Sequence, residues 1–313
     1  MKQKLNNYLM IAAAALLGGC VQEENPQPGG TDGNGHELLV EEVRTESGTG
    51  GTTRATTALT SGSIGVFRAK DTGASPAYPA ECNNYQYTCN SGWKPANAAN
   101  TVYLTGKDID VCAYYPYHSD AAYVDKTAIP LTSGRYIGTN DINDICYAKN
   151  RTVNASGGGR STTFTMTHAM ALMEFVLYGE AGAASLTVAN VTITHASLVG
   201  STTLNITNGT YAAGSVSGSL AYDLSLPVSG TTATTSALLV PFNLNSTELK
   251  AAFTVTGVNT SSVTIPAAFF GGKLEAGKRY RVKIALNGME VTGVEVEDWT
   301  AMDINNGGNP FPI

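Results

Sequence analysis

Gly277-Lys278-Arg279-Tyr280-Arg281-Val282-Lys283-Ile284-Ala285-Leu286 is the stretch that decides the fold class. Arg279, Arg281 and Lys283 stand between Tyr280, Val282 and Ile284, so cations fall on one face and apolar side chains on the other at a period of two. That is the pattern of a half-buried β-strand; at 3.6 residues per turn the same cations would be scattered around a helix. Gly293 to Trp299 repeats the alternation, with Glu295 and Glu297 between Val294 and Val296. Upstream, Leu186 to Thr194, Leu204 to Ile206, Leu220 to Leu226, Ala237 to Phe242, Leu249 to Val255 and Ser262 to Ile265 follow one another with Gly, Asn and Ser turns between them. Strand signals at such spacing, with no helix-length pattern intervening, predict an all-β protein of antiparallel sandwiches.

The first half reads the same way. Ile64 to Phe67, Asn100 to Leu104, Ile109 to Tyr117, Asp144 to Ala148, Phe164 to His168 and Met170 to Tyr178 are strand candidates. The last contains Ala, Met and Leu, but its ending in Phe175-Val176-Leu177-Tyr178 before Gly179 favours strand over helix. The small-residue stretch 179–185, GEAGAAS, is the expected boundary between two domains, 55–180 and 181–313.

Composition agrees. Charged residues are only 14% of the 313, glycines number 34, and Thr, Ser and Asn are abundant beside Val, Ile and Tyr. Exposed strand faces carried by Thr and Ser rather than Lys and Glu are typical of extracellular β-proteins. A formal charge of −6 argues against a nucleic-acid partner.

The N-terminus supplies an address. Lys2 and Lys4 precede the short apolar run Leu9 to Leu17, and Leu17-Gly18-Gly19-Cys20 follows. The run is too short to span a bilayer and reads as a signal peptide over 1–19. Its cleavage site ends on a cysteine, which only a lipoprotein site needs, so Cys20 is the expected lipid anchor on the outer membrane. Residues 21–37 are polar and rich in Pro and Gly, a flexible tether. Leu38-Leu39-Val40-Glu41-Glu42-Val43 then forms a lone strand candidate before a second Gly/Thr/Ser stretch that reaches Arg54. A solitary apolar strand between flexible segments must join a sheet.

Four cysteines remain: Cys82, Cys89, Cys112 and Cys146. Outside the cytosol three disulfide connectivities are open, and proximity in sequence pairs Cys82 with Cys89, leaving Cys112 with Cys146. The alternative is four buried thiols.

Little catalytic chemistry is legible, and no enzymatic activity or cofactor is expected. No nucleophile elbow, zinc-protease motif or phosphate loop stands in its required context. No CxxC pair and no histidine at ligand spacing indicates zinc, and Asn140-Asp141-Ile142-Asn143-Asp144 lacks the spacing and glycine of a calcium loop; no metal is expected. His168 is the best lone proton carrier, without an assignable partner. Tyr85, Tyr87 and Trp93 are the best material for a sugar-binding face, although most aromatics alternate within strands as core positions do.

Ser61-Gly62-Ser63-Ile64-Gly65-Val66-Phe67, Trp93 ahead of a strand, VCAYYPY at 111–117, Asp144-Ile145-Cys146-Tyr147-Ala148, Phe164, His168-Ala169-Met170-Ala171 and Phe175 together resemble, in order and spacing, the fimbrillin (Mfa-like) family of Bacteroidales surface lipoproteins. Leu274, Ala276-Gly277-Lys278-Arg279-Tyr280 and Asp298-Trp299 are similar to that family's closing pattern, so the resemblance covers almost all of 55–299. Gln22-Glu23-Glu24 after Cys20 resembles the surface-export signal of lipoproteins in that phylum. The resemblance implies a type V pilus subunit built of two transthyretin-like β-sandwich domains. It implies a precursor that reaches the outer membrane as a lipoprotein and is cut after an arginine by a surface protease, which removes 20–54 with the first strand. Mapped here, the removable strand carries Leu38, Leu39, Val40 and Val43; the processing arginine is Arg54, with Arg44 as the alternative. The emptied groove takes the terminal segment of another pilin subunit, in a homo- or hetero-polymer. Met302, Ile304, Phe311 and Ile313 are the candidate plugs of this chain's own donor segment, whose Gly and Pro content suits a long strand poorly. The competing reading is a surface adhesin or glycan-binding tip protein that keeps its lipid and meets a host or bacterial receptor.

Overall fold

Residues that alternate between Val, Ile, Tyr or Phe and Thr, Ser or a charge cannot close a helix with one dry face, and the chain resolves them into strands throughout. The computed structural model describes residues 36–45, 57–72, 80–138, 141–155, 159–179, 186–228, 232–256, 261–286 and 290–299. No α-helix occurs among them.

In chain order the first strands are β1 (His36–Glu37), β2 (Leu39–Thr45), β3 (Gly62–Arg68), β4 (Cys82–Cys89), β5 (Trp93–Pro95), β6 (Tyr103–Leu104), β7 (Ile109–Tyr115), β8 (Ile129–Thr132), β9 (Gly134–Tyr136), β10 (Cys146–Val153) and β11 (Ser161–His168). Then come β12 (Ala171–Tyr178), β13 (Leu186–Thr194), β14 (Val199–Asn205), β15 (Thr210–Tyr211), β16 (Ser215–Val216), β17 (Ser219–Val228) and β18 (Thr232–Leu239). The series closes with β19 (Phe242–Asn243), β20 (Leu249–Val255), β21 (Ser261–Ile265), β22 (Lys273–Leu274), β23 (Lys278–Ala285) and β24 (Glu290–Asp298).

The first body is a seven-stranded sheet in the order β2-β11-β10-β7-β3-β4-β5, whose outermost strands β2 and β5 come into contact as it wraps its core. Val43, Ile64, Val66, Tyr87, Val111 and Phe164 fill that core. The second body is a sandwich of the sheet β24-β23-β12-β18-β9 on the sheet β17-β13-β20-β21. Met173, Phe175, Phe253 and Tyr280 lie between its layers, with the Phe175 and Phe253 rings edge to face at 5.5 Å. Tandem β-sandwiches are thus the architecture. Antiparallel pairing dominates among the described residues, with two exceptions: β2 runs parallel to β11, and β12 parallel to β23.

A third apolar cluster joins the bodies. Phe67, Cys112, Tyr114 and Tyr147 project from the face of the first sheet opposite its own core and meet Leu172, Leu238 and Trp299 of the second body and Leu204 of β14, which lies in a smaller sheet with β15, β16 and β8. This explains β7, where Val111 and Ala113 enter one core while Cys112 and Tyr114 enter the other. A strand buried on both faces reads as a continuous apolar run. Gly65 of β3 serves the same junction: a Cβ there would lie 2.2 Å from Tyr114 Cε1 and 2.3 Å from Asn84 Oδ1, which itself accepts a 2.9 Å hydrogen bond from Tyr114 Oη.

Two expectations are corrected. The boundary at 179–185 falls inside the second body, because β12, which precedes it, lies between β23 and β18 in the second sheet. Residues before β10 also cross over, since β8 pairs with β14 and β9 with β18. The disulfides are absent: all four cysteines are free and buried. Cys82 and Cys89 are the two ends of β4, separated by roughly 23 Å of extended strand where a disulfide needs Cα atoms about 5.5 Å apart. Cys112 faces the inter-body cluster and Cys146 the first core, on opposite sides of the sheet. Burial pushes the Cys112 thiol up to about 12 and the Cys146 thiol well above the ordinary range.

Candidate assembly groove

β2 is the edge strand that the sequence singles out, and its side chains show how it is held. Leu38, Val40, Val43 and Thr45 are buried, while Leu39 is 40% exposed. Strict alternation from Val40 would send Val43 to solvent. The parallel register with β11 instead steps from Val40↔Thr162 to Glu42↔Thr163, so Glu41 is an extra, bulged residue and Val43 returns to the core opposite Phe164. Leu39, between the buried Leu38 and Val40 and ahead of the bulge, points outward.

Burying Leu38, Val40 and Val43 stabilises the strand by roughly 1.5–3 kcal/mol apiece. The exposed Arg44–Glu42 pair at 3.3 Å adds at most about 1 kcal/mol. Apolar burial and the ladder to β11 therefore dominate. Hydrogen bonds from Leu38 N to Val102 O at 2.8 Å and from Leu39 N to Arg160 O at 3.0 Å start the strand. Residues 57–59 cover its outer edge near the C-terminal end, through Leu59 N to Val43 O at 2.8 Å, Thr45 N to Thr57 O at 3.2 Å and a bridge between Arg44 and Ala58. Farther along, a cleft of about 500 Å³ separates Leu38 and Leu39 from Trp93, Pro95 and Ala98. Without β2, the backbone edge of β11 and the side chains of Phe164, Met166 and Trp93 would lie open. Such an edge is a template for another strand.

Arg44 thus sits within a paired strand, its Nε donating to Thr165 Oγ1 at 3.5 Å. Cys20, Arg54, Met302, Ile304, Phe311 and Ile313 lie outside the described residues. Tyr87 and Trp93 are buried core residues, and Tyr85 packs half-buried against the same cluster.

His168 gains partners that sequence spacing hides. The β10–β11 register sets Cys146 opposite His168. Nδ1 of His168 is 2.8 Å from Asp144 Oδ1 and 3.2 Å from Cys146 Sγ, and the ring stacks on Trp299 at 3.6 Å. These three ligand-type side chains converge within 4.8 Å. Both polar neighbours meet the same nitrogen, however, and Nε2 is buried without a hydrogen-bond partner. A proton relay needs one neighbour on each nitrogen and a thiol able to ionise. The arrangement instead ties the ends of β10 and β11 to Trp299, the residue after β24.

The fimbrillin-like family model matches residues 53–299. A solved structure of a protein assigned to cell adhesion from Bacteroides ovatus is 21% identical and covers 86% of this chain and 100% of its own, with a TM-score of 0.61. A second, from Bacteroides uniformis, is 20% identical over 88% of this chain and 100% of that one, with a TM-score of 0.56. A third, from Bacteroides fragilis, shares 11% identity over 87% and 100%, with a TM-score of 0.51. At these identities the likeness concerns the fold. No curated protein sequence matches. The family match begins just beyond β2 and runs through both bodies to Trp299, and on that extent the chain belongs to the fimbrillin-like family.

Proposed function

We propose that the chain is a structural subunit of a cell-surface fimbria, exported as a lipoprotein through Cys20 and polymerised by strand exchange once its N-terminal segment is removed. The observation that carries this reading is β2 itself. It lies outside the family match, yet with Leu38 just before it the strand supplies Val40 and Val43 to the first core from the edge of the sheet. A strand in that position is separable without cutting through the sheet, and its departure leaves an apolar groove for a neighbouring subunit.

The same geometry favours Arg54 over Arg44 as the processing site. Proteases take exposed, unpaired chain, and Arg44 is laddered to β11 on one side and bridged to Ala58 on the other. Mass spectrometry of the mature surface protein tests the proposal. An N-terminus at Ala55 without lipid is expected. A start at Thr45 would move the cut to Arg44, and diacylated Cys20 in all the surface protein would replace assembly by a lipid-anchored adhesin.

A further inference from the structure

The seven-stranded sheet is split between two of its inner strands. β10 and β11 are joined only at Cys146↔His168 and Tyr147↔Thr167. Beyond that point β10 follows β7 while β11 follows β2, and β10 bulges between Ala148 and Arg151. The turn after β14 holds the bulge out, through a 3.1 Å hydrogen bond from Asn150 N to Thr207 O. A slot of about 410 Å³ results, lined among others by Lys149, Arg151, Thr163, Thr165 and Thr167.

Its chemistry is one-sided. No carboxylate lines it. Lys149 and Arg151 are exposed, and among the described residues neither forms a salt bridge, in a chain of net charge −6. Arg151 Nη1 reaches across to Thr163 O at 3.5 Å, standing where a strand partner would otherwise donate. Thr163, Thr165 and Thr167 occupy alternate positions of β11, so their side chains share one face at a repeat of roughly 6.6 Å. Two cations recognise an anionic group, and a row of hydroxyls can donate to and accept from the hydroxyls of a sugar. Tyr147, Ala148 and Phe164 complete the lining, so the slot offers apolar surface beside its cations and hydroxyls.

We propose that this slot binds acidic saccharides, with a carboxylate or sulfate seated between Lys149 and Arg151 and the sugar hydroxyls along Thr163, Thr165 and Thr167. The site borders β2, whose Arg44 Nε donates to Thr165 Oγ1 at 3.5 Å and whose Glu42 lies opposite Thr163 in register, whereas Lys149 and Arg151 belong to β10.

Isothermal titration of the full chain tests it with five probes: a galacturonic acid trisaccharide, a sulfated heparin tetrasaccharide, maltotriose, inorganic sulfate and an oligoglutamate peptide. At least one acidic oligosaccharide should bind and weaken as salt is raised, while maltotriose does not. The double variant Lys149→Ala/Arg151→Ala should lose at least tenfold. Thr163→Val/Thr165→Val should weaken the oligosaccharide severalfold while keeping the wild-type melting temperature. The proposal fails if neither acidic oligosaccharide binds, if maltotriose binds equally, or if the cation variants bind as wild type. It fails as a saccharide site if inorganic sulfate or the oligoglutamate matches the oligosaccharides.

Discussion

Glu174 shows what one residue can reveal about a sheet. It is the single charge within the apolar run Ala171–Tyr178 and is 2% exposed. A buried carboxylate must be paired, and Arg279 Nη2 donates to both of its oxygens at 3.0 and 2.8 Å while Arg281 Nε donates to Oε1 at 2.6 Å. Arg279 and Arg281 continue outward to Glu297 and Glu295 on β24. The alternation of cations along 277–286 marked the strand correctly, while Glu174 in its apolar run went unread. What tied the two together was a parallel pairing across more than a hundred residues of chain, which no local pattern carries. Glu174→Ala leaves two arginines on a half-dry face without their acceptor. The expected loss in chemical denaturation is about 3–5 kcal/mol, whereas Glu295→Ala at the exposed end of the ladder should leave the denaturation midpoint close to wild type. Equal losses at the two positions would refute the pairing.

At the scale of elements, the strands that bury one face regularly were the legible ones. Leu186–Thr194 and Leu249–Val255 have the bounds their alternation predicts, and Met170 to Tyr178 is a strand despite its helix-forming residues. The cysteine expectation failed because closeness in sequence along an extended strand is distance in space. β2 was legible as a strand but not in its phase, because a bulge is a relation to the partner strand and leaves no mark in the strand's own alternation. That phase makes a sharp prediction. Deleting Glu41 brings Glu42 opposite Thr163 in an unbroken register, with Val40 and Val43 still inward. The deletion should change stability by less than about 1 kcal/mol. Deleting Val40 removes a buried side chain and should cost about 2 kcal/mol or more. If deletion of Glu41 proves the more damaging of the two, the bulge is misplaced.

The third cluster binds the two bodies of the molecule to each other. A boundary placed in 179–185 divides two β-rich halves, but the described residues form three apolar clusters, and the third belongs to both sandwiches. Its keystone is Trp299, only 6% exposed, stacked on His168 at the end of β11 and edge-on to Tyr136 of β9 at 5.8 Å. Through it the last strand of the second sandwich rests on the strand that pairs with β2 in the first. The resemblance marked Asp298-Trp299 as a closing pattern but not its partners; convergence with His168 and Tyr136, from segments far apart in the chain, gives the tryptophan that place. Truncating a large buried aromatic costs about 3–5 kcal/mol, and here the cavity would open in a cluster that both bodies share. Trp299→Ala should therefore lower hydrogen-exchange protection in β3 and β7 as well as in β12 and β18, within a single calorimetric transition shifted to lower temperature. Phe253→Ala, in the interior of the second sandwich, is the control: its loss should be felt first in β13 and β20. Two separated transitions in Trp299→Ala, with the first body unchanged, would mean that the sandwiches fold independently and that the inter-body cluster is only a contact surface.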